Sequence, residues 1–231
     1  MARTGFFHHF GTFLLLAATV LLIVTCISAP VINDISIMKV DLGRPYMGPI
    51  KRVTFGTFGW CEVADGPDSC SSSHVGYNPT NVMRTIEGIS FSNYAENTTK
   101  ALTKAMILHP IACGLNFIAF LLALGAGLVG SFLASLVAAL AFIVTVVIMI
   151  LDFVTFSIIK SRINDAPTVS RAHWGSAAWT TLAAAICSLL GMIILFITCC
   201  SARIHKRRNR DLEPKNDYGV AAAPPRRRRW F

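Results

Sequence analysis

Four long apolar runs set the pattern of the chain, separated by one long polar stretch and one short one. The first run, residues 10–28, holds no charged side chain. Residues 106–151 then pass without one Lys, Arg, Asp or Glu. An α-helix needs roughly 20 residues to cross about 30 Å of hydrocarbon, so this stretch is too long for one crossing. It is read as two spans, 106–127 and 131–158, divided where Gly125, Gly127, Gly130 and Ser131 cluster. The fourth span, 175–200, opens beside Trp174 and Trp179, whose side chains suit the headgroup level. Within the polar stretch 29–105, residues 35–40 and 52–63 alternate polar and apolar and are rich in β-branched and aromatic types, which predicts short antiparallel strands. Residues 81–94 read as a helix interrupted by Gly88. The expected fold is an all-α membrane protein, a four-transmembrane-helix bundle with a small β-rich loop domain.

Composition agrees. Hydrophobic residues make up 54% and charged residues only 14%, with a mean hydropathy of +0.57; a soluble domain carries about 25% charge. This argues against a water-soluble enzyme. The net charge is +9, and ten of the 21 basic residues lie after Ala202. The segment 201–231 carries ten basic and three acidic residues, whereas 29–105 carries seven of each. Basic flanks stay in the cytoplasm. This places 1–9 and 201–231 inside and the loops 29–105 and 159–174 outside. Asn97-Thr98-Thr99 is then a glycosylation acceptor in an outward loop, while Asn78-Pro79-Thr80 is barred by its proline. The first run also fits a signal peptide cut near Cys26-Ile27-Ser28, but its length and the crowding Pro30 favour retention.

Cysteine positions divide by chemistry. Cys61 and Cys70 are alone in the outward loop, with Gly66-Pro67 between them to supply a turn, and in an oxidising compartment they should pair. Such a bridge would pin a hairpin and give Trp60 and Phe58 a common face. A zinc site is not supported, since only His74 is close. Cys26, Cys113 and Cys187 fall within spans as packing residues. Cys199 and Cys200 meet the basic segment, which suits S-palmitoylation as well as it suits two free cytosolic thiols. Arg203, Lys206, Arg207, Arg208 and Arg210, with Arg226, Arg227, Arg228 and Arg229 before Trp230-Phe231, form an expected site for anionic lipid; a solvated tail and an arginine retention signal are the rival readings. His8 and His9 read as an interfacial pair. Asp152 is the one charged residue well inside the apolar stretches, toward the outer end of span three. It either reaches interfacial water or locks onto His109 or Arg171. Small residues, notably Gly114, Gly125, Gly127, Gly191, Ala183, Ala184 and Ala185, are expected where helices approach closely.

Six separated elements occur in order: Ile27-Ser28-Ala29-Pro30-Val31-Ile32; Phe55-Gly56-Thr57-Phe58-Gly59-Trp60-Cys61 with Cys70; Gly76-Tyr77; Ile107-Leu108-His109-Pro110; Asp152; and Trp174-Gly175-Ser176-Ala177-Ala178-Trp179. Together they resemble the fungal PalI family, which includes the eisosome Sur-type proteins and is similar in plan to claudins. The resemblance spans residues 12–200. It implies a claudin-like plasma-membrane protein without catalytic activity, metal or cofactor, whose motif residues are Gly59, Trp60, Cys61, Cys70, Gly76, Tyr77, His109, Pro110, Asp152, Trp174 and Gly175. The implied function is to assist a multispanning receptor of ambient alkaline pH; the alternative is to organise an eisosome-like membrane microdomain. The expected partners are anionic inner-leaflet lipids and another multispanning membrane protein, with a homo-oligomer left open and no nucleic acid.

Overall fold

The computed structural model describes residues 6–43, 50–125 and 128–211. Helix α1 (Phe6–Cys26) leads into strands β1 (Met38–Asp41), β2 (Ile50–Phe55), β3 (Trp60–Ala64) and β4 (Ser69–Cys70). Helices α2 (Pro79–Glu87) and α3 (Asn93–Lys104) follow, then a 3-10 turn (Ala105–Ile107) and α4 (Leu108–Leu124). The chain continues as α5 (Leu128–Asp165), β5 (Arg171–Trp174) and α6 (Ser176–Asp211). Four of the helical stretches are long and apolar enough to cross a membrane: His8–Cys26, Asn93–Leu124, Phe132–Asp165 and Ser176–Ser201.

Helix α1 packs on α4 and α6, and α5 on the same two, so four helices close into a ring. The interior is lined by small and aliphatic side chains in layers. One holds Leu22, Ala112, Ile148 and Ala184; another, Leu15, Ala119, Ala123, Ala134, Ala138 and Leu195. Lipid supplies no hydrophobic drive between helices, so close approach of backbones has to supply dispersion contact instead. Helices α1 and α6 approach closely at Gly11 and Gly191. A Cβ on Gly191 would stand 3.1 Å from Leu15 Cδ2 and 3.2 Å from the Gly11 carbonyl oxygen. Gly114, expected at such a contact, has no neighbour within 4 Å of where its Cβ would be, and Gly127 lies outside the described residues. Midway along α4 the Asn116 amide donates to Thr145 Oγ1 at 3.3 Å and to Ala112 O at 2.9 Å, and its oxygen accepts from Ser188 Oγ at 3.0 Å. This fully buried knot ties α4, α5 and α6.

The strands form one antiparallel sheet in the order β4-β3-β2-β1-β5 at one end of the bundle. Strand β5 pairs with β1 in the register Met38↔Trp174 and Val40↔Ala172, joining segments far apart in sequence. Side chains alternate across a strand, so Met38, Val40, Val53, Phe55 and Ala172 face inward together and are buried. Facing them is the far part of α5, where Phe156, Ile159 and Ile163 line one helical face with no exposure. This explains why α5 does not stop where its apolar run does. Residues 159–174, expected as loop, start with helix to Asp165, because Lys160 and Arg162 sit off the buried face while Ile159 and Ile163 fill the core of the sheet domain. We call this domain the head. The free edge of β5 is covered by Asn164, whose Oδ1 accepts from Ala172 N at 2.9 Å.

The helix expected over 81–94 is two helices. Gly88, at φ 67°, ends α2 with its N–H on Arg84 O. Asn78 caps the start of α2, and Ser92 caps α3 by accepting from Ala95 N at 3.2 Å. Phe58 lies in the bend between β2 and β3, outside either strand, so the shared face expected for Trp60 and Phe58 does not form. The Gly56 N–H donates to Gly59 O at 2.9 Å and closes that bend.

Candidate functional site

The head meets the bundle at a collar built from the separated sequence elements singled out above. At the end of α1, Ala29 and Pro30 run beneath the β2–β3 bend. A Cβ on Gly56 would overlap the Ala29 carbonyl oxygen and stand 2.6 Å from Ala29 N; one on Gly59 would stand 3.0 Å from Pro30 Cγ. At Gly56 backbone passes against backbone, whereas at Gly59 the Ser71 hydroxyl and the Pro30 ring fill the space. Between them the Thr57 N–H donates to Ser28 Oγ at 3.0 Å, and Thr57 Oγ1 donates to Thr25 O at 2.9 Å. The last turn of α1 is thereby stitched to the hairpin.

Tyr77 closes the next side. It is buried, stacks on Phe55 with ring centroids 6.5 Å apart, and donates its hydroxyl to Gly56 O at 2.7 Å. Burial, reinforced by Asp152, pushes that hydroxyl far above the ordinary tyrosine range, so it remains a donor. Gly76, at φ 78°, brings the chain past Lys104 into this position, and Thr103 Oγ1 fixes Tyr77 O at 2.8 Å. Gly175 does the same for the fourth helix: its N–H bonds Ile37 O at 2.8 Å, and a Cβ there would stand 2.6 Å from Ser36 C. Trp174 packs on Phe153 at 4.9 Å between centroids and lies under Lys160.

Under this layer His109 of α4 meets Asp152 of α5. His109 Nε2 lies 3.1 Å from Asp152 Oδ2, Nδ1 lies 3.1 Å from Met106 O, and both side chains are 1% exposed. A carbonyl oxygen only accepts, so Nδ1 carries hydrogen; the Nε2 to Oδ2 contact needs a second proton of its own. Asp152 Oδ1 is buried without a partner. Of the readings open for Asp152, the structure selects the lock onto His109. Arg171 instead donates to Asn164 O and Ser170 O, and Asp152 is too buried to reach interfacial water. Pro110 follows in the first turn of α4, where its missing N–H costs nothing, and is exposed.

Cys61 and Cys70 form a disulfide, directly opposite each other in the β3–β4 register with Cα atoms 4.0 Å apart. Trp60 opens β3, half-buried at the margin of the head core. Asn97 is exposed on α3. Cys199 is buried and Cys200 exposed. His8 is buried with Nε2 3.0 Å from Ala123 O, which ties α1 to α4. Helix α6 carries the backbone of Arg203, Lys206, Arg207, Arg208 and Arg210 out to Asp211; Arg226, Arg227, Arg228 and Arg229 lie outside the described residues. Ser28 and Thr57 fall within the separated sequence elements without a contact having been assigned to them, and Gly11 and the Asn116 knot were not foreseen. Asn116 alone had a visible signal, as the one amide in a long uncharged apolar stretch.

The collar can position and hold; among the described residues no three His, Cys, Asp or Glu side chains converge as a metal site. Fold and collar define a multi-pass membrane protein with a claudin-like plan, a four-helix bundle carrying a sheet head. The chain belongs to the SUR7/PalI family, whose model matches residues 7–191. It is 32% identical over 117 residues to the pH-response regulator protein palI/RIM9 of Emericella nidulans, covering 51% of this chain and 19% of that protein. To the pH-response regulator protein palI/RIM9 of Yarrowia lipolytica it is 30% identical over 187 residues, 80% of this chain and 22% of the relative. To the membrane protein TOS7 of Saccharomyces cerevisiae it is 28% identical over 181 residues, 76% of this chain and 29% of the relative. The chain thus spans less than a third of the length of these curated relatives.

Proposed function

We propose that the protein is a non-enzymatic accessory of the plasma membrane in the response to ambient alkaline pH, helping a multispanning receptor reach or remain at the cell surface. The observation that carries this reading is the similarity to two proteins named as pH-response regulators. It is supported by the nature of the collar, whose side chains are spent on one another and on backbone and leave no nucleophile, base and orienting group in one place. In this reading the head faces outward and both termini face the cytoplasm, which the basic segment after Ala202 supports. Asn97 then carries a glycan, and the basic side chains after Ala202 bind the inner leaflet. Acylation falls on Cys200, because Cys199 is enclosed.

The test is removal of the protein from its own cells. Loss of the alkaline response together with loss of the receptor from the cell surface is expected. A normal alkaline response with dispersed cortical patches would overturn this reading in favour of a microdomain organiser.

A further inference from the structure

The side of the sheet turned away from the head core is a cationic surface. Residues directly opposite each other in neighbouring strands share a face, and the register sets two rows there. His173, Lys39 and Thr54 form the row nearer the bundle; Arg171, Asp41 and Arg52 form the next. Met38, Val40, Val53 and Ala172, which alternate with them, fill the core. Over β3 and β4 this face is covered by the segment after α1, where Pro30 O lies 4.0 Å from Cys61 Sγ and Asn33 bonds Asp68. Over β5, β1 and the first part of β2 it is open: Arg52, Arg171 and His173 are exposed, and Lys39 and Asp41 partly so.

Asp41 is the one carboxylate in these rows, and it is spent on Arg52, whose Nε lies 2.5 Å from its Oδ1. Among the described residues Lys39, Arg171 and His173 form no ion pair, and Arg171 donates only to the Asn164 and Ser170 carbonyl oxygens. The β1–β2 connection, residues 44–49, holds no Asp or Glu to neutralise them. Like charges held side by side on a sheet cost stability, and an anionic partner removes that cost. Spacing decides which anion fits. The rows lie two residues apart along the strands, about 6.6–6.8 Å, which is the repeat of carboxylates at alternate positions of an extended chain. A single phosphate reaches one row. A lipid headgroup meets only the row nearer the bundle, because β5 runs from Arg171 toward α6 at Ser176. We propose that the open sheet face docks an extended acidic segment of a partner protein, one carboxylate taken by Lys39 and His173 and the next by Arg171 and the terminal nitrogens of Arg52. This goes beyond the proposed pH role and stands whether or not that role holds.

The test titrates the full chain, in phosphatidylcholine nanodiscs that leave both membrane faces open, with the capped peptide Glu-Ser-Glu-Ser-Glu. Its isomer Ser-Glu-Glu-Glu-Ser, whose carboxylates cannot all point one way, is expected to bind more weakly. Lys39→Gln and Arg171→Gln should each weaken the first peptide about three- to fivefold, the size of an exposed ion pair, and the double variant about tenfold or more. Lys100→Gln removes the same charge from the exposed side of α3, which packs on α2 and α5, and should leave binding within about twofold. Carbodiimide coupling of the bound peptide should join a carboxylate to Lys39 Nζ, which separates this face from the basic segment after Ala202. Coupling confined to Lys206 and Lys215, equal binding to wild type and the double variant, or no binding would overturn the site. Equal binding of the two isomers would overturn the extended segment. Displacement of the peptide by an equal concentration of inorganic phosphate would overturn the protein source in favour of a phosphate group.

Discussion

Substituting Gly56 by alanine places one methyl group where the collar has no room. The new carbon would overlap Ala29 O and stand 2.6 Å from Ala29 N and 2.8 Å from Ala29 C. These are backbone atoms, with no rotamer to turn aside, and Ala29 is held by its own N–H bond to Ile35 O at 2.9 Å. Either the hairpin lifts from the end of α1 or the end of α1 shifts. Overpacking costs about 1–3 kcal/mol, and immovable neighbours put this case at the upper end. Lifting also lengthens the Tyr77 hydroxyl bond to Gly56 O, which adds about 1 kcal/mol. For a chain of this size each kcal/mol moves the unfolding midpoint by roughly 2–4 °C, so Gly56→Ala should unfold on the order of 10 °C lower. The assay is thermal unfolding of the full chain in nanodiscs, followed by tryptophan fluorescence. Gly66→Ala is the control, because nothing lies within 4 Å of its Cβ position. A Gly56→Ala protein melting within about 2 °C of wild type would refute the close approach.

Three further outcomes are expected. Cys61→Ser should cost roughly 2.5–3 kcal/mol by the chain-entropy estimate for so short a loop, read as lower surface abundance; mass spectrometry finding both thiols free in surface protein would count against the bridge. Asn97→Gln should abolish a glycosidase-sensitive mobility shift if the head faces outward, and an unchanged shift would contradict that assignment. A peptide of residues 203–231 should bind anionic liposomes at low salt, release as ionic strength rises, and bind neutral liposomes poorly; equal partitioning would remove the electrostatic part.

The bundle was legible because span length and charge are one-dimensional signals. Helix number, the end of α4 before Gly125 and the Cys61 to Cys70 hairpin all follow from local counting. The head was only partly legible. Pairing of β5 with β1 joins residues about 130 positions apart, and four residues reading Arg-Ala-His-Trp carry no strand period of their own. The far half of α5 was hidden for a related reason. Lys160 and Arg162 end its apolar run, and only the core of the head shows why Ile159 and Ile163 keep the helix going. The collar residues were recognisable as a resemblance, yet Gly56 and Gly175 explain themselves only once Ala29 and Ser36 are seen against them. Asp152 had two readings until His109 was placed beside it.

If these residues act by holding head to bundle, substitution of Asp152 should break that hold without touching any other role. Breaking a buried pair by removing one partner costs about 3–5 kcal/mol, whereas an asparagine amide can still donate to His109 Nε2. Cells lacking the protein would be complemented with wild type, Asp152→Asn or Asp152→Ala, and both surface abundance and the alkaline response measured. Asp152→Asn is expected to restore both, and Asp152→Ala to lose both in proportion. An Asp152→Ala protein present at full level and fully active, or an Asp152→Asn protein present at full level and inactive, would contradict it.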